Sequence, residues 1–231
     1  MKLGNFPITK RWPPQDPGVL QLYSLPTPNG VKVSIMLEEL GLPYEAHLVD
    51  FGKNDQMSKE FLSLSPNNKI PAIIDPDGPE GAPLPLFESG AILLYLAEKT
   101  GRFLPEGADR WQVIQWLMFQ MGGVGPMFGQ FGYFHAFAGK EIEDKRPVER
   151  YRAETERLLR VLDGQLDGRD WIVGDFSIAD IATGPWVRTL LTHYKAGDLV
   201  GWGTLKNVPA WFDRFMARPA VQRGVTVPPE S

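Results

Sequence analysis

The sequence predicts two modules in series, an α/β domain built on a small mixed sheet and then an all-helical domain. Three observations carry this expectation. Short apolar runs bounded by turn residues alternate with helical periodicity over about the first hundred residues. Beyond Pro105 the strand pattern disappears and apolar residues recur at helical spacing only. The length, 231 residues, is enough for two such cores.

Residues 1–18 hold Pro7, Pro13, Pro14, Pro17 and a closing Gly18, and read as an irregular extension lying on the surface or on a partner subunit. Val19–Ser24 is apolar and partly alternating, a buried strand. Thr27-Pro28-Asn29-Gly30 then introduces a helix over 31–40, with polar capping residues in front and Gly41 behind. A second strand is expected at 44–49, a short helix at 57–64, and a third strand at 72–75 entered through Ile70-Pro71. Pro76-Asp77-Gly78-Pro79 is a turn, 84–87 a fourth strand, and Ser89 starts an apolar helix that Gly101 stops. A βαβ unit followed by a hairpin and a packing helix is a thioredoxin-like arrangement.

The domain boundary falls near 104–109, giving a sheet domain over 19–104 and a helical domain over 109–231. Trp111, Ile114, Leu117, Met118 and Met121 follow helical spacing until Gly122-Gly123 and Pro126 interrupt them. From Tyr151, the residues Thr155, Leu158, Leu159, Leu162 and Leu166 fall at offsets 4, 7, 8, 11 and 15, a continuous helical stripe. Further helices are expected at 177–191 and 209–218.

Composition excludes several classes of function. There is no cysteine, so a protein thiolate, a disulfide framework and cysteine-held metal are ruled out together. A net charge of −4 gives no reason to expect a nucleic acid partner. The longest apolar run, 90–97, is too short to cross a membrane, and no secretory signal opens the chain, so a cytoplasmic location is expected. His47, His135 and His193 are scattered and form no metal-binding pair, so no metal is expected. Phosphate-loop and nucleophile-elbow motifs are absent. Gly122-Gly123-Val124-Gly125 follows a helix and precedes Pro126, the wrong context for a dinucleotide fingerprint.

Three local features remain, each with a plain and a functional reading. Thr27 and Asn29 stand at a helix N-terminus, where they could cap the helix or help hold an anionic group. Ile70-Pro71 enters a strand, either as an ordinary trans proline or as a cis bond that leaves the preceding backbone to pair with an extended ligand. Glu88-Ser89 joins a strand end to a helix start, where Ser89 could be a cap or a carboxylate donor. All three stand at the ends of elements of one sheet, where open α/β sheets bind ligands. By contrast, Ser177-Ile178-Ala179-Asp180 is read as a structural capping box. The aromatic stretch with Phe128, Phe131, Tyr133 and His135 is either core or dimer packing, or the wall of an apolar pocket for a second substrate.

Taken together, three segments carry a family resemblance: Leu22-Tyr23-Ser24-Leu25-Pro26-Thr27-Pro28-Asn29-Gly30, Ser65-Pro66-Asn67-Asn68-Lys69-Ile70-Pro71-Ala72 and Phe87-Glu88-Ser89-Gly90-Ala91-Ile92-Leu93-Leu94-Tyr95-Leu96. Glu149-Arg150-Tyr151 and Ser177 to Ala182 add to them in the helical region. Over roughly 19–222 the sequence resembles the glutathione transferase superfamily, and most closely its bacterial Nu class of glutathione-dependent disulfide-bond oxidoreductases.

The resemblance implies glutathione as cosubstrate, with Thr27 and Asn29 beside its sulfur. It further implies that Ile70, before a cis Pro71, pairs with the cysteinyl unit, and that Glu88 and Ser89 hold the γ-glutamyl end. Gln56 and Lys69 would meet the remaining polar groups, and Arg150 would reach in from the second subunit of a homodimer. The expected activity is reduction of small disulfides through the thiolate of bound glutathione. Glutathione conjugation or peroxide reduction, and non-catalytic glutathione binding, are the alternatives. Tyr23 lies inside a strand and is read as packing rather than as a catalytic tyrosine.

Overall fold

A computed structural model describes residues 3–229. The chain divides into two units, Met1–Thr100 with Pro219–Ser231, and Gly101–Arg218.

The first unit is built on strands β1 (Leu20–Ser24), β2 (Tyr44–Leu48), β3 (Ala72–Asp75) and β4 (Leu84–Phe87), arranged in the order β2-β1-β3-β4. β1 runs parallel to β2, while β3 is antiparallel to both β1 and β4. Helix α1 (Gly30–Leu40) makes the crossover between the parallel strands, and Gly41 ends it in the left-handed conformation that glycine tolerates. A short α2 (Lys59–Leu62) and a longer α3 (Ser89–Thr100) complete the expected order. Every residue of β1 is buried, as befits a central strand.

Two expectations about the chain ends need correction. The helical domain expected over 109–231 ends earlier, because α9 (Pro219–Gly224) belongs to the first unit. The cause is a close fit against α1. A Cβ at Gly224 would come within 2.6 Å of the Ile35 Cα, so only glycine allows this approach. Ser34 Oγ donates to the Gly224 carbonyl at 2.6 Å, and the Arg223 guanidinium bonds Glu38 at 2.6 Å.

The N-terminal segment departs in part from the irregular surface extension expected over 1–18: residues 1 and 2 lie outside the described residues and 13–18 are irregular and mostly exposed, but the stretch between them packs inward. Residues Leu3–Asn5 and Pro7–Lys10 form 3₁₀ turns, and Leu3 and Ile8 are buried in one apolar cluster with Tyr23, Val49, Phe61 and Ile70. The Trp12 indole donates to the Leu48 carbonyl at 3.0 Å and stands edge-on to Tyr23 and Phe61. Arg11 pairs with the buried carboxylate of Asp55, and the Glu45 carboxylate accepts from the amides of Gln15 and Asp16. Prolines stop regular structure here, but the apolar residues between them supply the missing side of the core.

The second unit is helical: α4 (Gly107–Phe119), α5 (Gly125–Ala136), α6 (Arg146–Gln165), α7 (Ile178–Thr192) and α8 (Val208–Met216). Gly122-Gly123 lie in a π-helical turn, Gln120–Val124, that joins α4 to α5. The capping box at Ser177 and Asp180 is formed. Asp180 also accepts from the Trp211 indole at 2.8 Å and the Ile172 amide at 3.1 Å, so one buried carboxylate ties α7, α8 and the preceding loop together.

Replacing Trp12 with alanine removes both ring contacts and the Leu48 bond, and is expected to cost roughly 2 kcal/mol of unfolding free energy. Denaturant titration of the two proteins measures it. An unchanged midpoint would mean that Trp12 adds nothing to the core.

Candidate functional site

The strand register brings the three chemistry-bearing segments to one end of the sheet. Tyr23 of β1 pairs with Ala72 of β3, and Ala72 pairs with Phe87 of β4. These residues form one row across the sheet. Each segment singled out from the sequence lies just beyond that row: Thr27–Gly30 after β1, Ile70-Pro71 before β3, and Glu88-Ser89 after β4. Because β2 is parallel to β1, the chain leaving β2 toward Gln56 starts from this end as well.

At the first segment the chain turns sharply into α1. Thr27 Oγ1 accepts from the Gly30 amide at 3.2 Å, and the Thr27 carbonyl accepts from the Val31 amide at 3.0 Å. Thr27 therefore caps the helix, as its plain reading requires. A hydroxyl that accepts one bond keeps its proton for another acceptor, so capping leaves the functional reading intact. Asn29 occupies the N-cap position, yet its side chain makes no capping bond. No acidic side chain lies in the first turn of α1, so the positive end of the helix dipole is not neutralised from within the helix. Gly30 is required by space: a Cβ there would stand 1.9 Å from the Leu25 carbonyl oxygen.

The Ile70–Pro71 bond is cis, the form that the resemblance implies and not the one an X-Pro bond ordinarily takes. Ile70 is buried and precedes the first paired residue of β3. Lys69 is exposed beside it, and its carbonyl accepts from Ser65 Oγ at 2.8 Å, closing the turn through Asn68.

Glu88 holds φ at 72°, a left-handed conformation that costs a side-chain-bearing residue about 1 kcal/mol or more. Its carboxylate is on an exposed residue, while Ser89 behind it is buried. Ser89 Oγ accepts from Lys32 Nζ at 3.3 Å. Lys32, on α1, is completely buried, and burial pushes its pKa down to about 7 while the charge of Glu88 draws it back up.

Lys32 is the residue that sequence reasoning missed. A signal was present: Val31, Val33, Ile35, Met36 and Leu37 surround it, so the first two turns of the helix offer its one lysine little polar face to join.

Gln56 stands on a 3₁₀ turn, Asp55–Met57, and its Oε1 is buried with no hydrogen-bond partner. A buried amide oxygen without a donor is costly, and the N–H groups of a peptide ligand would satisfy it. Tyr23 lies in the core, stacked on His47 at 4.7 Å between ring centres, and burial raises its pKa. Those features belong to packing.

Not every expected residue joins this group. Phe128 and Phe131 are 1% and 0% exposed, so they are core of the helical unit and do not wall an open pocket. Amphipathic spacing on α5 turns both inward. His135 stacks on Phe131 and its Nε2 bonds the Tyr194 carbonyl at 3.1 Å, which holds it in the same packing. Only Tyr133 of the four is exposed. Arg150 is exposed on α6. Among the described residues no cluster of three or more metal-ligating side chains occurs, and no helix is long and apolar enough to cross a membrane.

Comparison with known proteins agrees with the architecture. Residues 18–98 match the family described as glutathione S-transferase, N-terminal domain, and residues 126–219 match its C-terminal domain. The disulfide-bond oxidoreductase YfcG of Escherichia coli is 48% identical over 205 residues, covering 87% of this chain and 92% of that protein. A glutathione transferase from Pseudomonas putida, solved with one glutathione disulfide bound per subunit, superposes with a TM-score of 0.98 at 63% identity, covering 99% and 100% of the two chains. Another, from Burkholderia graminis with two glutathione molecules per subunit, gives 0.97 at 65% identity, covering 99% of this chain and 96% of that one.

Gly30→Ala forces a methyl group against the Leu25 carbonyl, and is expected to lower stability by about 1–3 kcal/mol. Equilibrium unfolding checks this. A variant as stable as the parent would show that the turn tolerates a side chain and that the Thr27–Asn29 geometry is not fixed by the Leu25 contact.

Proposed function

The chain belongs to the glutathione S-transferase family, and from that premise we propose that it reduces small disulfides through the thiolate of bound glutathione, as a Nu-class enzyme. One observation supports this above others. The sequence contains no cysteine, so any sulfur chemistry must use the thiol of a cosubstrate. The relatives that bind glutathione or its disulfide, and the one named a disulfide-bond oxidoreductase, agree with that reading.

Glutathione enters with its sulfur beside Thr27 and Asn29. A free thiol with a pKa of about 8.5 is only a few per cent ionised at neutral pH. The Thr27 hydroxyl, the Asn29 amide and the open N-terminus of α1 together favour the thiolate, and each pKa unit gained corresponds to about 1.4 kcal/mol. Ile70 meets the cysteinyl backbone, Glu88 and Ser89 hold the γ-glutamyl end, and Gln56 and Lys69 take the remaining polar groups.

The thiolate attacks one sulfur of the disulfide along the S–S axis. A new S–S bond to glutathione forms as the old one breaks, and the displaced sulfur leaves as a thiolate that takes up a proton. A second glutathione thiolate then attacks the glutathione sulfur of the mixed disulfide and releases the other thiol. Two glutathiones are oxidised to their disulfide, and one substrate disulfide is reduced to two thiols.

A homodimer fits the exposed Trp111 and Met118, seven residues apart on one face of α4. In it the exposed Arg150 would serve the partner's site. A reaction that consumes reduced glutathione suits the cytoplasm, where thiols are kept reduced, and we set the protein there.

Asn29→Ala is expected to lower the glutathione-dependent reduction of bis(2-hydroxyethyl) disulfide by roughly tenfold or more, with folding retained. Thr27→Val is expected to do likewise, and Thr27→Ser to restore most of the rate. The assay follows oxidised glutathione as it forms, with chloronitrobenzene conjugation measured in parallel. Conjugation outrunning disulfide reduction would replace this reading with a conjugating transferase, and full activity in Asn29→Ala would remove the sulfur-site assignment.

A further inference from the structure

We propose that Lys32 is a positioning residue for the γ-glutamyl end of glutathione, acting from inside the protein through the Ser89 hydroxyl and the charge of Glu88. The proposal rests on the glutathione reading given above and adds to it a residue that does not itself touch solvent.

An ammonium taken out of water is strongly disfavoured unless other groups compensate it. On α1 the neighbours of Lys32 in sequence are apolar and buried, and an apolar residue would pack in the same space without that penalty. Instead the Lys32 Nζ reaches Ser89 Oγ at 3.3 Å, at the first residue of α3 and directly behind Glu88. The stem of Lys32 thus crosses from the first helix to the third segment of the site, joining the sulfur end of the sheet edge to the glutamyl end.

Its chemistry then fixes the polarity of Ser89. An ammonium can only donate, so Ser89 Oγ is the acceptor and its proton is turned away from Lys32. A hydroxyl polarised by a cation is a better donor to a carboxylate. Glu88 contributes the opposite sign on the exposed side, held in a left-handed conformation that the strand end alone does not demand.

The γ-glutamyl group is a zwitterion with one ammonium and one carboxylate on the same carbon. The pair formed by the Glu88 carboxylate and the lysine-backed Ser89 hydroxyl is its complement in sign and order. Burial lowers the Lys32 pKa to about 7 and Glu88 raises it, so a second carboxylate arriving at Ser89 favours the charged lysine further.

The test compares two thiols that differ only at this end: glutathione, and cysteinylglycine, which lacks the γ-glutamyl group. Lys32→Met keeps the volume and removes the charge. It is expected to lower kcat/KM with glutathione by roughly tenfold, mainly through KM, while kcat/KM with cysteinylglycine stays within about twofold. Adding Lys32→Met to Ser89→Ala is expected to cost little more than Ser89→Ala alone, because Lys32 acts through the Ser89 hydroxyl. Thermal unfolding of Lys32→Met should be no easier than that of the parent.

Equal losses with both thiols would mean that Lys32 only supports the fold, and no loss with either would also overturn the proposal. Should Lys32→Met fail to fold, the native protein decides. The Lys32 side-chain NMR signal is expected to move on adding S-methylglutathione and to stay on adding S-methylcysteinylglycine, and movement with both or neither contradicts the proposal. A native protein that neither binds nor turns over glutathione would instead refute the function on which this rests.

Discussion

The register linking Tyr23, Ala72 and Phe87 across β1, β3 and β4 is the constraint from which the site follows. Side chains alternate along a strand, so a slip of one residue would send every buried residue of β3 to the opposite face. Both faces of β3 are buried, so its register is held by the fit of Ala72, Ile73 and Ile74 to the layers packed on each face. With the row fixed, the turn at Thr27, the bend at Ile70-Pro71 and the left-handed Glu88 all project from one edge. Three segments up to about sixty residues apart in the chain thereby meet without any of them needing to contact another.

Around this edge the protein spends stability in particular places. Gly30 leaves no room for a side chain, Glu88 holds an uncommon backbone angle, and Lys32 carries a charge into the interior. Local rules are broken here and satisfied in the supporting core, a pattern expected where a site is held ready for a ligand. The N-terminal segment and α9 act in the opposite sense. Both add apolar contacts to the first unit, the former against Tyr23 and Phe61 and the latter against α1.

Much of this was legible in the sequence, for identifiable reasons. Turn residues act locally, so Thr27-Pro28-Asn29-Gly30, Ile70-Pro71 and Glu88-Ser89 marked element ends correctly. The capping box at Ser177 is likewise a matter of neighbours along the chain. What stayed hidden depends on tertiary packing. Phe128 and Phe131 have the spacing of either a pocket wall or a core stripe, and only burial separates the two. Prolines in residues 1–18 masked Leu3, Ile8 and Trp12, whose partners lie tens of residues away. Residues 219–224 fall within the span 109–231 assigned to the helical domain until Gly224 is found against Ile35. Lys32 drew no notice because its partner, Ser89, lies 57 residues away in the chain.

The proposed chemistry runs on a thiol that the protein itself does not possess. Because there is no cysteine in the chain, thiolate ultraviolet absorbance in a mixture with glutathione arises from glutathione alone. Titrating that absorbance with pH, in the presence of excess native protein, gives the pKa of the bound thiol. The arrangement at Thr27, Asn29 and the start of α1 predicts a value below the free thiol's, about 8.5. A bound thiol that titrates at the free value would contradict the central claim that this edge of the sheet makes the thiolate.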